Sequence, residues 1–552
     1  MKKIYILAAA AALASGFGAN AQTVQDALNF GQLNYLGSAY SMGIGNAVTA
    51  LGGDLGTIGI NPAGAAVACY SQFTITPGLT LAADAAAYAP DAYSDFGDFN
   101  RASKARFAMP NVGISFRYDD DNPYDKCEGI TFAFVCNTVN SYTNHYTGSG
   151  VQRDMGVKHK ASSKFAEMAY WATNDGLKPE DMASGSVWSN PDYSSYWDVV
   201  MGYNAGLIHE IAGAPGTFAG CTEVVSGTDH FFPSGSSLHQ VSDVLQRGHK
   251  TEMLLNMSFD FDHKWYFGFN LAIPFGTYRN VETLYETADP IDNFPVRFTS
   301  EGVGAIDTYF KRASYRYSYT SEFSGIYAKV GFIGQPFAGL RVGASIQTPT
   351  ALTVNEYWWH SGKAEYANGD VIGASSENGD FSYDLRTPWL LNAGVAYTFG
   401  KRAVVSVDYE MQDFHSMQFS DIDSYNSGVF NFVNDQIDFL CGVSHNLRAG
   451  AEFKFTPAWC IRAGYNLSTC PEKYFVDEFT EQTVYYKDLT TSYSGGFGFR
   501  SKGSFFADVA VKMTNYPDNI FSPYMDYGEF TAPDIYIRRQ LWSAALTLGW
   551  RF

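Results

Sequence analysis

MLLNMSFDF (residues 253–261), DHK (262–264) and WYFGFNLAI (265–273) decide how the rest of the chain is read. Met253, Leu255, Met257, Phe259 and Phe261 fall on one side of an extended backbone, and Asn256, Ser258 and Asp260 on the other. After the short polar turn, Trp265, Phe267, Phe269, Leu271 and Ile273 alternate with Tyr266, Gly268, Asn270 and Ala272. Side chains two apart share a face of a strand, so this is an antiparallel hairpin with one strongly apolar face. The same period recurs at 389–399, 403–411, 447–455, 459–467, 493–499 and 505–513. It ends on Trp542, Ala544, Leu546, Leu548, Trp550 and Phe552.

The opposite face is equally distinctive. It carries Arg341, Asp408, Glu410, Arg448, Glu452, Lys454, Arg462, Arg500, Asp508, Lys512 and Arg551. A soluble sandwich would turn such charges to solvent and the apolar face to a core. Charges of both signs at mid-strand also suit the wet interior of a barrel whose outside meets lipid. Connection lengths favour the barrel. Short turns near 119–127, 262–264, 335–339, 400–402, 457–458 and 501–502 alternate with long connections near 81–109, 139–249, 288–312, 362–380, 415–444, 470–489 and 514–540. The fold class expected is therefore all-β: an outer-membrane antiparallel barrel of about fourteen strands over residues 71–552, with turns on one rim and loops on the other. Arg341, Asp408, Glu410, Arg448, Glu452, Arg462, Arg500 and Asp508 are the candidate lumen-lining residues.

Composition agrees. Of 552 residues, 42 are Phe, 37 Tyr, 10 Trp and 53 Gly, a surplus of rings and glycines that fits strands with aromatic girdles. A net charge of −19 argues against binding to a phosphate backbone, so no nucleic-acid partner is expected. Lys2 and Lys3, the apolar stretch Ile4–Ala14 and the small residues Ala19-Asn20-Ala21 read as a signal peptide over 1–21, cleaved before Gln22. The seven cysteines give no C-x-x-C. Cys127 and Cys136, like Cys460 and Cys470, would stand about 30 Å apart along one strand, beyond disulfide reach.

Residues 22–70 do not alternate. Seven glycines between 43 and 64 allow close backbone packing, and Pro62 biases Asn61 toward extended geometry. A compact piece of this kind ahead of a barrel belongs in the lumen, where wall side chains can satisfy its amides. The segment from Ala47 to Ala65, with Asn61, Pro62, Ala63 and Gly64 shortly before the first strand, and the preceding GSAYSMGIGNA (37–47), resemble the N-terminal hatch of the FadL/toluene-transporter family. The resemblance covers nearly the whole chain in architecture, and in residue motif only about 40–66. It implies a fourteen-stranded outer-membrane barrel importing hydrophobic compounds, long-chain fatty acids being the best-known substrate; a monomer is expected. It also implies that Asn61, Pro62, Ala63 and Gly64 belong to a plug that shifts to open a path. Partners would be the hydrophobic ligand, outer-membrane lipids and, through terminal Phe552, the barrel-insertion machinery. No ligand-pocket motif carries over.

The connection 139–249 is expected to be a folded extracellular cap, with helical pieces over 162–173 and 196–211 and a helical turn or two over 238–245. Six of the ten histidines (145, 159, 209, 230, 239 and 249) fall in it, which leaves a haem-binding receptor as the alternative function. No G-x-S-x-G, H-E-x-x-H or P-loop pattern occurs, so enzymatic chemistry is not expected, and no cofactor is assigned. The acidic run 119–122 before Pro123 reads as a solvated turn.

Overall fold

The computed structural model describes residues 23–88, 95–96, 100–119, 126–153, 160–300, 304–422, 428–472, 475–477, 482–484 and 489–552. The signal peptide with its cleavage point, and most of the acidic turn at 119–123, lie outside them.

Fourteen wall strands follow one another around a closed antiparallel barrel. They are β1 (Gln72–Tyr88), β2 (Asn100–Asp119), β3 (Cys127–Ser141), β4 (Ser237–Phe261), β5 (Trp265–Asp289), β6 (Gly304–Phe337), β7 (Leu340–Gln347, resuming at Ala351–Tyr366) and β8 (Gly379–Arg386, resuming at Leu390–Phe399). The ring continues with β9 (Ala403–Asp413), β10 (Val443–Lys454), β11 (Trp459–Thr469), β12 (Leu489–Arg500), β13 (Phe505–Asn515) and β14 (Ile535–Arg551). Closure is made by β1 against β14, from Gln72↔Arg551 to Tyr88↔Ile535. A closed ring leaves no sheet edge unpaired, the condition for a sheet in lipid. Among the described residues no helix is long and apolar enough to cross a membrane.

Alternation sets the two surfaces. Trp265, Phe267, Trp389, Phe399, Trp459, Trp542, Trp550 and Phe552 are exposed on the outside, whereas Arg448, Arg462 and Asp508 are buried inside. The hairpin of β4 and β5 pairs without interruption from Phe261↔Trp265 to Ser237↔Asp289. Its turn needs Asp262 and His263 in the left-handed region, at φ 54° and 50°, a conformation uncommon outside glycine.

Several strands run far past the ten or so residues that cross a bilayer. β4 and β5 have 25 residues each, and β6 has 34. Much of what reads as long loop at 81–109 and 288–312 is therefore wall: β1 continues to Tyr88, β2 begins at Asn100, β5 reaches Asp289 and β6 begins at Gly304.

The cap rises from this extended end. A strand at Asn144–Arg153 first pairs back on β4, and helices Lys164–Asn174 and Trp197–Asn204 follow. Phe165, Met168, Val200, Met201, Leu207 and Phe218 of the cap share one core with Phe294, Phe310 and Tyr366 near the barrel mouth. Two expectations are corrected here. Residues 238–245 are strand, not helix: Leu238, Gln240, Ser242 and Val244 are buried in strict alternation, while the spacing of Leu238, Val241, Val244 and Leu245 imitates a helical stripe. The second helix stops at Asn204, because Gly206 at φ 71° turns the chain into a short strand at Ile208–Glu210.

Residues 23–70 lie inside the barrel. Helix Val24–Gly31 is capped by Thr23, whose side chain accepts from Asp26 N. A short helix at Ala39–Gly43 and tight turns at Leu55–Thr57 and Pro62–Ala65 complete the segment.

Candidate functional site

The turn at Asn61 brings the N-terminal segment, the part that the resemblance likens to a hatch, against the wall. Asn61 keeps an extended backbone, φ −136° and ψ 112°, as the cap of the Pro62–Ala65 turn. Its Oδ1 accepts from Ala63 N at 3.1 Å. Its Nδ2 donates to Thr49 O within the hatch at 2.7 Å and to Phe332 O on β6 at 3.0 Å. Pro62 occupies the first position of the turn, where no amide hydrogen is needed, and its carbonyl accepts from Asn256 Nδ2 on β4 at 3.0 Å. Ala63 packs with Ala66, Tyr266 and Ile333. Gly64 faces Gly52, which allows Gly53 N to donate to Gly64 O at 2.8 Å.

Irregular backbone inside a barrel has carbonyls that no ladder satisfies, so the wall must supply donors. It does so residue by residue. Lys329 Nζ donates to Gly59 O at 2.6 Å, Ser345 Oγ to Ile60 O at 2.7 Å and Asn270 Nδ2 to Ile58 O at 2.9 Å. Arg341 reaches Leu51 O at 3.0 Å, Arg448 reaches Asn46 O at 3.2 Å, and Lys250 reaches Phe30 O at 2.7 Å. Asp408 does the converse, accepting from Thr49 N at 2.7 Å.

A belt of small residues lets this contact happen. Gly268 pairs with Gly331, Gly343 with Gly394, and Gly450 with Gly464 across neighbouring strands. A Cβ on Gly268 would fall 2.3 Å from Pro62 C, on Gly343 2.2 Å from Thr49 O, on Gly450 2.1 Å from Ile44 O and on Gly464 2.2 Å from Gly45 N. These glycines, with Lys250, Lys329, Asn256 and Asn270, were not among the candidate residues. The mid-strand lysines on the charged face were the available signal.

The remaining candidates form two ion-pair groups. Arg448 pairs with Glu410, which also accepts from Tyr35 Oη at 3.2 Å. Arg462 bridges Glu452 and Asp508, both at 2.7 Å, and Arg500 reaches Asp508 at 2.9 Å. The Arg462 guanidinium lies 4.6 Å from the centre of the Tyr40 ring. This second group borders a cavity of about 440 Å³ at the short-turn rim, between Gly52, Gly53 and Asp54 of the hatch and Lys454, Arg500 and Arg551 of the wall.

The other end of the interior is apolar. Ten residues further along β5 than Gly268, Tyr278 joins Tyr142, Phe323, Leu352 and Tyr383 around Leu28 and Phe30 of the N-terminal helix. The Phe30 and Phe323 rings are 5.0 Å apart, and Tyr142 and Tyr278 are 5.2 Å apart.

Four of the cap histidines are engaged by separate polar partners. His145 pairs with Asp243 at 3.0 Å, His230 with Glu223 at 3.0 Å, His239 with Asp289 at 3.5 Å, and His249 with Arg106 at 2.9 Å. His209 is buried in the cap, and His159 lies outside the described residues. Among the described residues, His145, His230, His239 and His249 each have a separate polar partner, and the haem alternative is not favoured.

No protein-family model and no curated protein matches the sequence. Among solved structures, the chain is similar to a Pseudomonas aeruginosa FadL homologue, with TM-score 0.49 and 10% identity over 95% of this chain and 100% of that one. It is also similar to the Ralstonia pickettii toluene transporter TbuX, with TM-score 0.43 and 13% identity over 94% and 99%. The Pseudomonas putida toluene transporter TodX gives TM-score 0.43 and 11% identity over 93% and 98%. The likeness is one of fold, to FadL-type and toluene-transporter barrels.

Proposed function

We propose that the chain is an outer-membrane channel for passive uptake of hydrophobic small molecules, long-chain fatty acids among them, and that the hatch opens it. The observation that supports this reading is the division of the interior. A water-filled porin keeps its lumen polar, whereas this barrel packs an aromatic, apolar cluster below the cap and a hydrogen-bonded N-terminal segment beneath that. Apolar ligands gain by leaving water for such surroundings, provided the N-terminal segment packed there yields to them. The exposed apolar exterior and the export signal in the sequence support the outer membrane as its place.

The test is uptake of a fluorescent fatty acid into liposomes carrying the purified chain, with native mass spectrometry of co-purified lipids beside it. Faster uptake than in empty liposomes, with an apolar molecule retained on the protein, is expected. A protein that carries no lipid, passes no probe and binds haemin tightly would overturn the reading.

A further inference from the structure

The short-turn rim holds a cluster that transport does not use. Cys69 leaves the hatch just before β1, Asp260 ends the inward face of β4, and His263 sits in the β4–β5 turn. The Cys69 sulfur, an Asp260 carboxylate oxygen and a His263 ring nitrogen lie within 4.8 Å of one another. From the geometry of these three we infer a divalent-cation site of zinc type that fastens the end of the hatch to the barrel wall.

The donor set is what such an ion takes. Thiolate, imidazole and carboxylate are the ligands of Zn²⁺, bound at about 2.0–2.3 Å with tetrahedral separations of about 3.5 Å. To admit an ion, His263 Nδ1 must move off Asp260 Oδ2, from which it lies 2.7 Å, while the Cys69 sulfur stays within reach of both, a movement open to an exposed cysteine and an exposed turn. Cys69 is a free thiol. Binding M²⁺ releases its proton, and thiolate plus carboxylate then balance the charge of the ion.

A second observation points to a ligand. The Asp260 side chain is fully buried. Its Oδ2 accepts from Arg117 at 2.9 Å and faces His263 Nδ1 at 2.7 Å, yet its Oδ1 is buried with no hydrogen-bond partner. An unsatisfied carboxylate oxygen in a dry place costs free energy, and a metal ion would satisfy it. The surroundings already resemble an outer coordination sphere. His263 Nε2 lies 2.7 Å from Glu128 Oε2, the carboxylate–histidine arrangement that orients a metal-bound imidazole. Arg117 ties the same place to the hatch by donating to Ala66 O at 3.0 Å. The ligands thus come from the hatch exit, the foot of β4 and its turn, with Glu128 at the foot of β3, so an ion here joins plug to wall.

The site stands apart from the channel reading; only its effect on hatch release rests on that reading. The full mature chain in detergent is titrated with Zn²⁺, and with Co²⁺ as a spectroscopic probe. One Zn²⁺ per chain is expected, together with a thiolate-to-cobalt charge-transfer band. Cys69→Ser abolishes the band, His263→Gln abolishes stoichiometric binding, and Glu128→Gln weakens binding about 10- to 100-fold. Cys69 and His263 are both exposed, so these variants keep the fold. A wild-type chain that takes up no stoichiometric metal, or variants that bind like wild type, overturns the proposal. In liposomes, Zn²⁺ should slow probe uptake by wild type and not by Cys69→Ser. A chain that binds the ion but transports nothing sinks the channel reading and leaves the metal site standing.

Discussion

Gly331 and Asn61 are packed so closely that a Cβ on the first would stand 2.0 Å from Oδ1 of the second. The hatch turn therefore rests on bare backbone of β6, and Asn61 Nδ2 binds the carbonyl of the next wall residue, Phe332. Gly331→Ala must push the turn away or bend the strand. Leak of a hydrophobic probe through proteoliposomes should rise several-fold, while the temperature at which the barrel unfolds in detergent stays near wild type. Gly495→Ala is the control, since its Cβ would meet nothing closer than Arg462 O at 3.9 Å. Equal leak in both variants would mean that this contact does not seal the channel.

The outward face makes a separate prediction. Val407 is exposed on β9 between Val395 and Ala449 of its neighbours. An arginine there, or at Leu548 on β14, should lower folding stability in vesicles by about 2–4 kcal/mol if the site lies near the bilayer midplane. Urea titration of vesicle-folded protein measures this. No loss at either position would place that face away from lipid.

What the sequence makes legible is whatever repeats. Met253 to Ile273 can be read because burial of every second residue, set against solvent or lipid, leaves a period in the residue types. Leu238 to Leu245 is misread because its buried face carries polar Gln240 and Ser242 while Val241 and Leu245 lie on the other face, so the apolar residues fall at helical spacing although burial alternates. The wall glycines stay silent for another reason. Nothing about Gly343 in a strand announces that Thr49, from the far end of the chain, will press against it. Asp408 is legible as an inward charge, but its bond to Thr49 N exists only once the hatch is seated. The grouping of Cys69 with Asp260 and His263 likewise arises from closure of the barrel, not from any local spacing.

The cap should respond to pH through Glu167. Burial raises its carboxyl from an ordinary 4.5 to about 7, despite Lys164 at 2.7 Å, and Asp198 adds to the rise. The folded cap thus holds a proton that the unfolded chain gives up. That contribution to stability is complete below pH 4.5 and is lost as the pH climbs through about 7. Asp198 is also desolvated, but Lys164 beside it wins and holds its carboxyl below the usual range; its own contribution fails only in acid. Hydrogen exchange in helix Lys164–Asn174, corrected for intrinsic rate, should be faster near about pH 8 than near about pH 5.5. Glu167→Gln should flatten that profile. A wild-type profile with no slope would show that the residue does not titrate in this range.

On the proposed reading, release of the N-terminal segment is the step on which uptake would depend, and Asn61 and Pro62 are the residues to change. Asn61→Ala removes two donors and an acceptor at once, leaving the carbonyls of Thr49 and Phe332 short of a partner at about 1–3 kcal/mol for each buried group left unsatisfied. Pro62→Ala restores backbone freedom at the turn while Asn256 can still bind its carbonyl. Both changes act on the closed state, because the contacts they remove exist only with the hatch seated. A ligand can drive opening only by binding the open state better, and a swing from 1:99 to 99:1 takes about 5.5 kcal/mol. Weakening the closed state supplies part of that difference, so less ligand should be needed. The expected result is faster uptake at low probe concentration for Asn61→Ala, a smaller gain for Pro62→Ala and unchanged heat stability of the barrel. If Asn61-Pro62 is only a turn, both variants will transport like wild type. If either loses the barrel itself, the segment is a folding element and its part in gating falls.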